Sequence, residues 1–149
     1  MREILFRGKQ KEGRWVEGVY FKHDTVKVCF SSDDPKPRHL IIQDGFCDWG
    51  FEPPIHCVDV DPKTVGQYTG MIDKNGKKIF EGDIVQDTQS FLFGKVVYAT
   101  PQDGFDGMAG FMVDDVDDGL QNYNGFWHLV EVLGNIHDDP ELLEVTDNV

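Results

Sequence analysis

Long hydrophobic runs are missing from this chain. No segment approaches the roughly 20 consecutive apolar residues that a membrane helix requires, so no helical membrane anchor is expected. Cysteine is scarce as well: Cys29, Cys47 and Cys57 are odd in number and irregular in spacing. Such a set defines no disulfide framework. The N-terminal MREILFRGKQ is too charged, and its apolar run too short, to read as a secretory leader, so reduced thiols in a cytoplasmic protein are the expectation. Cations are nearly absent from the second half. Residues 76–149 hold 3 Lys+Arg against 15 Asp+Glu, whereas residues 1–75 hold 11 against 12, which together give the net charge of −13. Binding to nucleic acid or to an anionic membrane needs clustered Lys and Arg, so neither partner is expected.

Catalytic signatures are equally scarce. The phosphate-cradling patterns G-x-G-x-x-G and G-x₄-G-K-[ST] do not occur, nor do G-x-S-x-G or H-E-x-x-H. His39, Cys47, His56 and Cys57 lack the paired spacing of a structural zinc site. A Cys57 nucleophile would need a base, and His56 points to the opposite face if both lie on a strand. The run DDVDDG at 114–119 invites a calcium reading. Aligned on Gly119, however, it puts Val116 at a required oxygen position and Gly125 where a bidentate Glu belongs. His128 is expected to pair with Glu131 at the surface rather than act as a general base. His56, Asp103 and Asp106 remain the loop residues through which an enzyme would act. No catalytic, cofactor or metal residue is assigned.

What the chain has in quantity is glycine, 16 residues in all, spread between short apolar runs. That texture describes strands punctuated by turns. Strands are predicted over residues 4–7, 15–21 and 39–43, and over 26–30, where Val26, Val28 and Phe30 share a face. DPKTVG predicts a helical turn near 62–65 with Asp61 as its cap and Pro62 first. Asp73-Lys74-Asn75-Gly76 sits between two β-prone runs and predicts a tight hairpin with Gly76 in the left-handed region. Strands at 84–85, 95–99, 110–114 and 126–132 follow. A second helical turn near 140–144 has Asp139 as cap and Pro140 first. The expected fold is mainly β: an N-terminal β-rich region over 1–62 packed against a small SH3-like β-barrel over 63–149.

Three ordered blocks carry a resemblance. The N-terminal MREILFRGKQKEGRWVEGVYF, the central VGQYTGMIDKNGKKIFEGDIV and the terminal VEVLGNIHDDPELLE resemble the YopX family of phage and prophage proteins. The resemblance implies a mostly β protein with an SH3-like C-terminal barrel and brings no nucleophile or metal cluster with it. Its shared residues look structural: Gly66, Gly70, Gly76 and Gly82 at turns, Asn75 in the hairpin, and Gly134-Asn135 before the final segment. The chain departs from the family in its loops, at QDGFDGMAG and at DDVDDG.

Two features suit a binding role. Phe46, Trp49 and Phe51 lie in a Pro/Gly-rich loop, where they would form an interface or plug the seam between the two regions. Asp114, Asp115, Asp117 and Asp118 offer an acidic surface that would either imitate DNA phosphates toward a basic host protein or merely solubilise the chain. The expected protein is a non-enzymatic phage or prophage accessory factor. It would act by protein contact, as a homo-oligomer or with a host or phage protein, without a cofactor.

Overall fold

Period-two alternation builds strands over most of the predicted apolar runs, and turn residues end them. The computed structural model describes residues 3–25, 35–44, 54–103, 109–121 and 127–144. The chain is mainly β, its helical content limited to short 3₁₀ turns, and it forms two compact units, Glu3–Gln67 and Tyr68–Val149. Among the described residues no helix is long and apolar enough to cross a membrane.

In the first unit, strands β1 (Phe6–Lys9), β2 (Trp15–His23), β3 (Arg38–Asp44) and β4 (Ile55–Asp59) pair antiparallel in the order β4-β3-β2-β1. The start of β5 (Gly66–Ile72) joins β1, with Phe6 opposite Gln67. Alternation along β2 sends Val16 and Tyr20 to the inner face. There Val16, Ile41 and Val60 form a core with Phe6, Val58 and Val65. The predicted turn after β4 is present as a 3₁₀ turn, Pro62–Thr64, whose cap Asp61 accepts a hydrogen bond from the Lys63 N–H at 3.0 Å. Thr64 Oγ1 fastens that turn to β1 by accepting from the Lys9 N–H at 2.8 Å. The predicted strand at 26–30 lies outside the described residues. Strand β4 carries a weak sequence signal, because IHCVD follows two prolines and shows little contrast between its faces.

In the second unit the remainder of β5 pairs with β6 (Lys78–Phe80) across the predicted turn, where Gly76 has φ +82° and its N–H bonds the Asp73 carbonyl at 3.0 Å. Then come β7 (Asp83–Asp87), β8 (Leu92–Ala99), β9 (Gly110–Asp115), β10 (Gly119–Gln121) and β11 (Glu131–Asn135). They form one antiparallel sheet in the order β10-β9-β8-β7-β11. Its core gathers Ile79, Val85, Val96, Val113, Trp127 and Val130, among others. Gly94 lies where β8 meets β9, and a Cβ there would collide with the backbone carbonyl of Asp114.

The expected SH3-like barrel does not form: the sheets are open. Closure would require the outermost strands to pair with each other. One of these, β10, is only three residues long, and β11 shifts register against β7 between Val132 and Gly134. The strand predicted at 126–132 also needs correction. Trp127–Leu129 is a 3₁₀ turn, and β11 begins only at Glu131. Trp127 and Val130, three apart, are both buried, so the burial period here is three rather than two.

Candidate functional site

Most acidic side chains described in the second half face solvent wholly or in part, but a few carboxylates are turned inward. Asp73, Asp83, Asp87 and Asp115 are all buried, and each accepts hydrogen bonds from backbone N–H groups. One local device recurs: a side-chain oxygen accepts from the N–H two residues on. It occurs at Asp61, Asp73, Asp87, Asp115 and Asn135, with partners Lys63, Asn75, Gln89, Asp117 and His137 at 2.8–3.0 Å. Asp73 accepts two further bonds, from Lys77 N at 2.8 Å and Val132 N at 3.1 Å. Burial alone would raise its pKa, but the three backbone donors, helped by the Lys77 charge, outweigh that and hold it below the ordinary carboxylate value.

The four aspartates singled out by sequence therefore divide. Asp115 is buried and clamps its own turn, also accepting from Phe93 N at 2.9 Å and Asp118 N at 3.1 Å. Asp114 meets Lys95 across the β8–β9 ladder at 3.3 Å. Asp117 and Asp118 stand exposed at the tip of the turn. Among the described residues there is no cluster of three His, Cys, Asp or Glu side chains that could hold a metal ion.

The remaining candidates are scattered. His39 is part-buried, its Nδ1 2.6 Å from the Tyr20 hydroxyl. His56 and Cys57 are exposed neighbours on β4, while Cys47 lies outside the described residues. Asp103 caps its own turn, accepting from the Thr100 N–H at 2.7 Å and from its hydroxyl at 2.8 Å. Those bonds, the backbone one first, lower its pKa. Asp106 lies outside the described residues. The expected His128–Glu131 surface pair is replaced: Glu131 makes an ion pair with Lys74, and His128 sits exposed on the 3₁₀ turn. Positions three apart could not share a strand face in any case.

Phe46, Trp49 and Phe51 lie outside the described residues, but other apolar side chains reach solvent. Phe91 is 88% exposed, at the tip of the β7–β8 hairpin, with φ +58°. It is the non-glycine residue with positive φ among those described, and a bulky side chain in that region is a strained choice. The clamp at Asp87 shapes the same loop, its carboxylate taking the Gln89 N–H and, at 2.7 Å, the Ser90 hydroxyl. Sequence reasoning missed Phe91. The available signal was DTQSF, a turn sequence closing on an aromatic where glycine or asparagine is the ordinary choice. In the first unit Val19 and Phe21 project from the outer face of β2. A groove of about 520 Å³, lined by Tyr68, Gly70, Met71, Ile72, Trp127 and His128, opens on the second unit.

These observations define a class: an open-sheet antiparallel β protein whose buried carboxylates serve its turns and whose apolar residues reach its surface. A family model described as YopX protein matches residues 5–144, and the chain belongs to the YopX family. A search of curated proteins finds no match.

Proposed function

We propose that this YopX-family chain is a phage or prophage accessory protein that works by contact with other proteins rather than by catalysis. The observation that carries the reading is Phe91. An aromatic ring 88% exposed at a hairpin tip, on a backbone at φ +58°, costs the fold stability and buries little among the described residues. An anchor that fills a pocket on a partner accounts for that cost, since exposed aromatics are the usual energetic centres of interfaces. The carboxylates support the same reading. Asp73, Asp83, Asp87 and Asp115 are held by backbone donors, which suits clamps better than proton-transfer groups. Imitation of DNA by the acidic half is the second reading, since Asp103, Asp117, Asp118, Asp138, Glu141 and Glu144 face solvent.

The test is affinity capture from host cells with the intact chain and with Phe91→Ser, each at low and at high salt. The proposal predicts a partner retained at high salt by the intact chain and lost by the variant. Capture that ignores the substitution and disappears at high salt would favour electrostatic mimicry instead.

A further inference from the structure

Among the described residues each sheet ends in outer strands, and most of them are blunted. A free strand edge invites pairing with another chain, and proteins suppress this with short strands, bulges, charges or proline. Two outer strands, β6 and β10, have only three residues each, and β11 carries a register shift between Val132 and Gly134. The remaining one, β4, differs from them all. Its five residues run in unbroken register against β3, from Ile55 opposite Asp44 to Asp59 opposite Leu40. Ile55 is 71% exposed, and His56 and Cys57 are exposed beside it. No lysine interrupts the strand. Its one acidic residue, Asp59, is already engaged by Arg38 in a two-bond pair at 2.6 and 3.0 Å.

We propose that β4 is a self-association edge, pairing antiparallel with β4 of a second copy about a two-fold axis at Cys57. This rests on the protein-contact reading above and names one partner for it. Three observations favour a second copy. The first is charge. Glu3–Gln67 holds 9 Lys+Arg against 11 Asp+Glu, a net of −2, whereas Tyr68–Val149 holds 4 against 16, a net of −12. Copies of so acidic a chain meet with least repulsion through the first unit. The second is self-complementarity. A two-fold at Cys57 sets His56 opposite Val58 and Ile55 opposite Asp59, so no like charges face each other. The third is continuity. On the outer face Val19 lies opposite Ile42, and Ile42 opposite Cys57. Among the described residues that apolar row ends at β4, and a second copy extends it to six residues across the joined sheet.

The register makes the test sharp. Residues facing each other across an antiparallel pair have Cα atoms roughly 4.5–5.5 Å apart, within disulfide range. Two Cys57 thiols at the axis would therefore cross-link. A thiol moved to position 55 would stand about 13 Å from its symmetry mate, four strand residues away, and would not. The experiment uses the full chain with Cys29 and Cys47 replaced by Ser, oxidised with copper-phenanthroline, alongside sedimentation equilibrium without oxidant. The expected result is an associated species in sedimentation, and rapid formation of a cross-linked product of twice the 17.0 kDa chain mass. Cross-linking is lost when Cys57→Ser is combined with Ile55→Cys. Cys57→Lys, which sets two ammonium groups face to face, reduces the sedimenting mass to that of one chain with unchanged circular dichroism. Ile55→Lys, facing Asp59 of the second copy, leaves association intact. A monomer at every concentration, or cross-linking as fast from position 55 as from 57, overturns the proposal. A monomer that still captures a partner through Phe91 overturns the edge pairing alone.

Discussion

The Asp73 carboxylate accepts a hydrogen bond from the Val132 N–H at 3.1 Å, across 59 positions of sequence. Its other oxygen takes the Asn75 and Lys77 N–H groups, both at 2.8 Å, so one side chain shapes the β5–β6 hairpin and ties it to β11. Replacing it with alanine leaves the buried Val132 donor unsatisfied and frees the turn. Asp73→Ala is expected to cost about 2–3 kcal/mol in urea denaturation, and Asp73→Asn less, since the amide keeps one acceptor.

The same residue sets a pH dependence. Its pKa is lower in the folded chain than the ordinary 3.8 because the backbone donors outweigh burial. A depressed carboxylate pKa contributes stability that is fully present above the unfolded value and lost as pH falls through the folded one. The stability gap between the parent chain and Asp73→Asn is therefore expected to be constant at neutral pH and to narrow below about pH 3.8. Denaturation midpoints measured over an acid pH series check this.

Two glycines are predicted to fail for different reasons. Gly76 has φ +82° with nothing within 4 Å of a built Cβ, so its constraint lies in the backbone. Gly76→Ala should cost about 1–2 kcal/mol, and Gly76→Asn less, because asparagine tolerates the left-handed region. At Gly94 the constraint is the Asp114 carbonyl. Both Gly94→Ala and Gly94→Asn should destabilise by about 1–3 kcal/mol or more, with no relief from asparagine. Thermal melts of the four variants separate the two causes.

Phe91 supplies a prediction of opposite sign. Glycine accepts φ +58° without strain, and an 88% exposed ring contributes little burial. Phe91→Gly should raise stability by roughly 1 kcal/mol while abolishing capture of the partner. Lower stability would show that the ring serves the fold.

Much of this architecture was legible in the sequence, and what escaped did so for physical reasons. Asp73-Lys74-Asn75-Gly76 and Asp61-Pro62 were readable because turn chemistry is local: the capping group and its donors lie within four residues. Whether the sheet closes depends on strand length and on a register shift at Val132–Gly134, neither of which alternation encodes. The turn at Trp127–Leu129 hid inside an aromatic run that satisfies a strand pattern equally well. The inward direction of Asp115 and Asp87 was harder still. A run such as DDVDDG reads as solvated charge until the partner of each carboxylate is known, although the donor two residues on was a usable signal. Cys57 gains significance only from the place of β4, the outermost described strand of its sheet.

The most direct test of the claim that this chain's buried carboxylates are structural clamps is a ¹³C titration of its aspartate carboxyl groups. The account predicts that Asp73 titrates below 3.8, held ionised by the N–H groups of Asn75, Lys77 and Val132. An Asp73 that titrates above that value, toward neutral pH, would mark a group poised for proton transfer and would contradict it.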